Sequence, residues 1–202
     1  RQEIEQCQAC SLAAGRLHVV PGEGPATSQI MFIGEGPGYF EDQQGAPFVG
    51  QAGKFLDELL GYAGLKRSEV FITNVVKCRP PNNREPEVEE LNACRHYLDA
   101  QIEAINPRVI VTLGRFSMAR FINNGKISQI HGYPHNINGR IVVTMYHPAA
   151  ALHQPDLKDA VIKDFMHLKQ ILAKPPETYL SLSQPEIPAP KREEPPEQLS
   201  LF

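Results

Sequence analysis

The residues with the most chemical reach in this chain are four cysteines and a scatter of polar or aromatic side chains that close apolar runs. Cys7 and Cys10 form a C-x2-C pair; 67 residues then separate Cys10 from Cys78, and 15 separate Cys78 from Cys94. In the intracellular setting expected for this chain, four thiols that include such a pair point to a metal centre rather than to disulfides. Four thiolates suit zinc or an iron–sulfur cluster. The spacing leaves both open, along with plain buried or reactive thiols. A centre built on them would tie the N-terminal arm to the segment carrying Cys78, which is a structural role.

The second set lies elsewhere. Gly34-Glu35-Gly36-Pro37-Gly38 looks like a dinucleotide loop, but Tyr39 holds the third glycine position and no helix is expected to begin there. A phosphate loop fails as well, because Gly53-Lys54 is followed by Phe55. The glycines instead let backbone approach something closely beside Glu35. The stretch 45–50 carries Phe48 on a stiff loop, Asn74 offers a donor and an acceptor together, and His147 is pinned by Pro148. Taken singly, each has an ordinary explanation: a surface acid, a core ring, a structural amide or imidazole. Taken together on one edge of a sheet, they suit a planar heterocycle with hydrogen-bonding edges.

The elements that must position them follow from apolar patterning. Buried strands are expected at 29–33, 70–74, 108–113 and 141–144. Helical spacing links Leu56, Leu59, Leu60 and Ala63; then Val88, Leu91, Leu98, Ile102 and Ile105, with Pro86 in the first turn; and finally Val161, Phe165, Leu168 and Leu172. Alternation of this kind predicts an α/β fold, three layers α/β/α around a mainly parallel sheet of about four strands. Ligands in such folds sit at the carboxyl ends of the strands, where Glu35, Asn74 and His147 fall.

Composition bounds the rest. With 42% hydrophobic and 21% charged residues the chain is neither wholly disordered, collagenous nor a coiled coil. No apolar run approaches the ~18 residues of a membrane helix, and the N-terminus has no signal-like core, so a soluble cytoplasmic protein is expected. Seven of the 18 prolines fall after residue 173, in a polar stretch unable to offset its ordering entropy. The expected organisation is one domain over 1–173 and a disordered tail over 174–202. The formal charge is −3, so any basic surface for nucleic acid must be local.

Several motifs together are similar to one family. Gly34-Glu35-Gly36-Pro37-Gly38 with Glu41-Asp42, GAPFVGQAG over 45–53, TNVVKCRPPNNR over 73–84 and His147-Pro148 resemble the family 4, iron–sulfur, uracil-DNA glycosylases. The likeness runs from Cys7 to about Leu172. It implies a uracil-DNA glycosylase fold and hydrolysis of the N-glycosidic bond of uracil flipped out of DNA. It also implies one structural [4Fe-4S] cluster on Cys7, Cys10, Cys78 and Cys94. The implied uracil slot is Gly36, Pro37, Gly38, Phe48, Asn74 and His147. Phe48 would stack on the base, Asn74 would read its pairing edge, and His147 would donate to O2 as negative charge develops. Glu35 would act on water or offset sugar charge, with Asn83 or Glu41 contributing.

One departure bears on DNA. After His147-Pro148 the family carries a bulky apolar pair and an Arg that wedge the duplex; here the residues are Ala149, Ala150, Ala151, Leu152 and His153. Leu152 alone remains as a wedge, which weakens the case for duplex insertion; uracil-containing DNA, single- or double-stranded, is the expected substrate, with a lean to single strands. Lys77, Arg79 and Arg84 are expected to meet phosphates. The last five residues, Gln198, Leu199, Ser200, Leu201 and Phe202, resemble the peptide by which bacterial proteins bind the DNA sliding clamp, which suggests a bacterial source. A monomer is expected. The rival readings are a covalent uracil-capturing relative, for which 79–86 lacks the His-rich loop, and a non-catalytic zinc or iron–sulfur DNA-binding module.

Overall fold

A computed structural model describes residues 2–123 and 125–181. Its frame is a sheet in the order β2-β1-β3-β5-β4, formed by β1 (Ile30–Gly34), β2 (Phe71–Asn74), β3 (Val109–Leu113), β4 (Pro134–Ile137) and β5 (Arg140–Met145). Strands β1, β2, β3 and β5 run parallel, and β4 is an antiparallel edge against β5. The helices are α1 (Gln2–Glu5), α2 (Tyr39–Gln44), α3 (Gln51–Tyr62), α4 (Val88–Ile105), α5 (Arg115–Ala119), α6 (Ile127–Ile130), α7 (Pro148–His153), α8 (Pro155–Ala173) and α9 (Glu177–Leu180). None of them is long and apolar enough to cross a membrane.

The period of two along each strand divides its side chains between two cores. Phe32, Val111 and Val143 face α3 and α8, meeting Leu56, Leu59, Leu60, Val161, Phe165 and Leu168. The rings of Phe32 and Phe165 stack with centroids 6.1 Å apart. The intervening Met31, Ile33, Ile110 and Val142 face the other way, against Leu98 and the partly buried Leu91, Ile102 and Ile105 of α4. A buried side chain of this size contributes roughly 1.5–3 kcal/mol, so these two layers hold the sheet rigid.

The expected architecture is present, with four corrections. The sheet has five strands rather than four, because Pro134-His135-Asn136-Ile137 shows no apolar alternation; a proline at its first residue is compatible with an edge. Folded chain continues beyond the boundary drawn at residue 174: α9 buries Tyr179, and Asn136 donates to the Leu180 carbonyl. Helix α4 begins at Val88, so Pro86 precedes it, and Val88 is exposed rather than on the core face. A helix does begin at Tyr39, although it is only six residues long. The peptide 198–202 lies outside the described residues.

Strand order places the topological switch at β1, since the chain leaves it for β2 on one side and returns to β3 on the other. A crevice at the carboxyl ends is expected there.

Candidate active site

That crevice is a cavity of about 280 Å³, lined by Glu35, Gly36, Pro37 and Gly38 after β1, Asn74 at the end of β2, and His147 after β5. Phe48, Asn83 and Arg84 also line it, with Glu41, Ala52, Pro80, Pro86 and Ala149. All six residues of the expected base slot are therefore brought together from four separate stretches of chain.

Gly34 is what lets two of them meet. A Cβ there would sit 2.4 Å from Asn74 Oδ1 and 2.7 Å from the Phe48 ring, so no side chain fits between them. Phe48 itself takes a left-handed backbone, φ 51°, which a phenylalanine adopts only under constraint. Gly53 supplies part of it: a Cβ on α3 would fall 1.9 Å from the Phe48 carbonyl oxygen. Glu41 supplies more, accepting from the amides of Val49 (2.8 Å), Gly50 (2.9 Å) and Gly38 (3.1 Å). One carboxylate thus staples the glycine loop to the Phe48 loop. Gly34, Gly53 and the staple were not assigned a role from sequence, although a glycine closing a buried strand is the signal for a close approach.

His147 precedes α7, and its Nδ1 accepts from the Ala149 amide at 3.1 Å. The proton of the neutral ring is therefore on Nε2. Burial pushes its pKa down to about 4, with Glu41 opposing, so the ring is neutral near pH 7. Its plane lies 27° from that of Phe48 with centroids 5.6 Å apart. Asn74 is 1% exposed, and its Oδ1 has no hydrogen-bond partner among the described residues. An unpaired buried acceptor costs about 1–3 kcal/mol, so native proteins seldom keep one without use. Burial, and then the Glu85 carboxylate, raise the Glu35 pKa above its ordinary value, against the pull of Arg115.

The sequence profile of the Uracil DNA glycosylase superfamily matches residues 21–173. The chain is 47% identical over 186 residues to the type-4 uracil-DNA glycosylase of Saccharolobus solfataricus, covering 87% of this chain and 86% of that one. It is 44% identical over 178 residues to the type-4 enzyme of Thermotoga maritima, covering 86% and 93%. The archaeal Archaeoglobus fulgidus counterpart is 43% identical over 186 residues, covering 86% and 92%. This chain is a type-4 uracil-DNA glycosylase family member.

Against that family background, the basic residues sort differently from expectation. Lys77 cannot touch phosphate, because it is fully buried. Its Nζ donates at 2.7 Å to Thr73 Oγ1, the Asn74 carbonyl and Gln101 Oε1, three acceptors for the three donors of an ammonium. Burial pulls its pKa to about 7, opposed by Cys94. Arg84 is only part-exposed and spends its guanidinium on Glu90, at 2.6 and 2.9 Å. Arg79 donates to Asn83 Oδ1 at 2.8 Å and lies over the Tyr39 ring. Leu152 is 43% exposed, on helix α7 rather than on a wedge loop.

The four cysteines of this glycosylase-family chain line one small hollow beside the start of α4, walled by Ile4, Ala9, Ala13 and Ala93. Cys78 accepts from Arg16 at 3.3 Å, and Cys94 from the Lys77 amide at 3.4 Å. Donors of this kind stabilise thiolate sulfur. Among the described residues no three His, Cys, Asp or Glu side chains form a set that could hold a single ion. Four thiols round an apolar hollow nevertheless fit a polynuclear sulfur-bridged centre, whose ligands stand farther apart than those of one zinc.

Proposed function

We propose that this chain excises uracil from DNA by hydrolysing its N-glycosidic bond, as an initiating step of base-excision repair. The observation that carries the reading is the buried, unpartnered Oδ1 of Asn74 in a cavity that the Phe48 ring and the His147 imidazole also line. In this reading uracil leaves the helix and stacks on Phe48. Asn74 Oδ1 accepts from N3–H, and its amide group donates to O4. Cytosine presents the reverse pattern and would leave the buried amide unpaired, which is how such a site rejects it.

The C1′–N1 bond then breaks, and its electron pair passes to uracil. Negative charge gathers at O2, where Nε2–H of the neutral His147 donates a hydrogen bond. The backbone at Gly36, Pro37 and Gly38 closes on the base. Positive charge at the sugar favours a nearby carboxylate, a task for Glu35, with Asn83 helping to hold the attacking water. Water oxygen adds to C1′, its proton goes to Glu35 or to solvent, and uracil is protonated on release. Glu41 is not given a chemical step, since its oxygens are taken by three amides.

Cys7, Cys10, Cys78 and Cys94 would hold a [4Fe-4S] cluster, which when bound supplies a cross-link between the N-terminal arm and α4. Arg79, with Leu152 nearby on the chain after His147, is assigned to the DNA backbone and its neighbouring bases. The peptide 198–202 is assigned to the sliding clamp; its removal should abolish capture on immobilised clamp while sparing excision on free oligonucleotides.

The decisive experiment is incubation with a uracil-containing oligonucleotide followed by alkaline cleavage, in parallel with a cytosine control. Strand scission at uracil alone is expected. A non-catalytic DNA-binding module would give none.

A further inference from the structure

We propose that the rings of Tyr39 and Phe40, together with Arg79, form a stacking platform at the rim of the cavity for a nucleobase adjoining the flipped uracil in single-stranded DNA. The proposal rests on the base-excision reading above and adds to it a second base subsite.

Tyr39 and Phe40 open helix α2 and are 51% and 53% exposed. Two large rings side by side in water at the start of a helix are costly to leave unused, and their mutual geometry is defined: centroids 5.4 Å apart, planes at 82°. They are also held in place. The Glu41 staple sets α2 against the Phe48 loop, and a Cβ at Gly50 would come within 3.3 Å of Phe40 Cδ2. The Arg79 guanidinium carbon lies 5.1 Å from the Tyr39 ring centroid. Its Nε is bonded to Asn83, which lines the cavity, as does Gly38, the residue before Tyr39. Rings and cation thus adjoin the cavity wall through Gly38 and Asn83.

The occupant follows from chemistry. Flipping uracil strips its neighbour of one stacking partner and bares a flat π-face. Fixed aromatic rings beside a guanidinium, which attracts phosphate, are the combination that holds single-stranded bases without regard to sequence. The small residues Ala149, Ala150 and Ala151 offer no wedge to replace the lost stack. The platform would do so for a strand that is already open.

The test uses the full chain and its Tyr39→Ala, Phe40→Ala and doubly substituted variants, each checked for an unchanged melting temperature. Single-turnover excision is followed on a single-stranded oligonucleotide with ordinary neighbours, and on strands carrying a base-less tetrahydrofuran spacer on either side of uracil. The double variant should need roughly 5- to 100-fold more protein for half-saturation on the ordinary strand. The wild type should lose about as much when one of the two neighbours is base-less, and the double variant should lose nothing further on that strand. Inhibition by free uracil should stay within twofold. Half-saturation within twofold of wild type, or a full loss that persists on both spacer strands, overturns the platform. Fluorescence anisotropy on the uracil-free strand separates this from failure of the base-excision reading. If no uracil is released, weaker binding by the variants still upholds the platform, and unchanged binding removes it.

Discussion

Two buried polar centres lie on either side of the stretch 79–84, and they are built on opposite terms. At the start of α4, Glu90 is 1% exposed and fully engaged: Ser11 Oγ at 2.9 Å, two Arg84 nitrogens at 2.6 and 2.9 Å, and the Glu87 amide at 2.8 Å. Those partners, Arg84 foremost, push its pKa down to about 2. In the cavity, Asn74 Oδ1 has no partner, Glu35 is pushed up rather than down, and burial keeps His147 uncharged. Satisfied buried polarity holds the fold. Buried polarity left open toward a cavity is set aside for a ligand, at a standing cost in stability.

The sharpest way to break this contrast is Asn74→Ala. Excision should fall by at least ~10²-fold, since the site loses its reading group, while the melting temperature holds or rises because an unpaired acceptor has gone. A melting temperature that drops along with activity would mean that Asn74 is structural after all. Glu35→Gln should slow single-turnover excision by about 10²-fold with uracil-DNA binding retained. The wild-type rate should fall with acid through a pKa above 4.5, the ordinary carboxylate value, and Glu35→Gln should flatten that limb. His147 would contribute its own limb only near pH 4.

On the other side of the contrast, Glu90→Ala should destabilise the protein by about 1–3 kcal/mol, read by denaturant unfolding, with excision per folded molecule changed only severalfold. Linkage gives the same centre a pH signature. The Glu90 pKa is lower folded than unfolded, so its contribution is complete above about 4.5 and fades as pH falls toward about 2. His147 also has a lower folded pKa, here because the folded state refuses the proton; stability therefore falls as pH drops from about 6.5 toward about 4, and His147→Gln should remove that part. The smallest effect separates two cations that are neighbours in sequence. Arg79→Ala should lower the salt slope of DNA binding by about 1, whereas Lys77→Met should leave the slope alone and act on stability.

Much of this was legible beforehand. The apolar runs gave four strands within a residue or so, and strand–helix alternation gave their parallel pairing. The polar residues closing those runs then had to share one edge. Other features depended on neighbours distant in sequence. Lys77 reads as a surface cation, and only Thr73, Asn74 and Gln101 make it an internal one. Glu90 is an acid in the first turn of α4, and only Arg84 and Ser11 make it a buried anchor. Residues 175–181 read as tail from their prolines, but one tyrosine in contact with the core outweighs that composition.

What the chain order alone determined was the period of its apolar residues, hence two layers of helix on a parallel sheet, and the kinds of group at the strand ends. Those are local properties, set by spacing and side-chain type. Whether a given polar atom is paired is not local. Tertiary packing decided that Gly34 would admit Phe48 and Asn74 to the same spot, that His147 would carry its proton on Nε2, and that Lys77 would be spent inside while Arg79 stayed at the rim. Desolvation and hydrogen-bond satisfaction depend on every neighbour within a few ångströms, and those neighbours come from parts of the chain that meet only on folding.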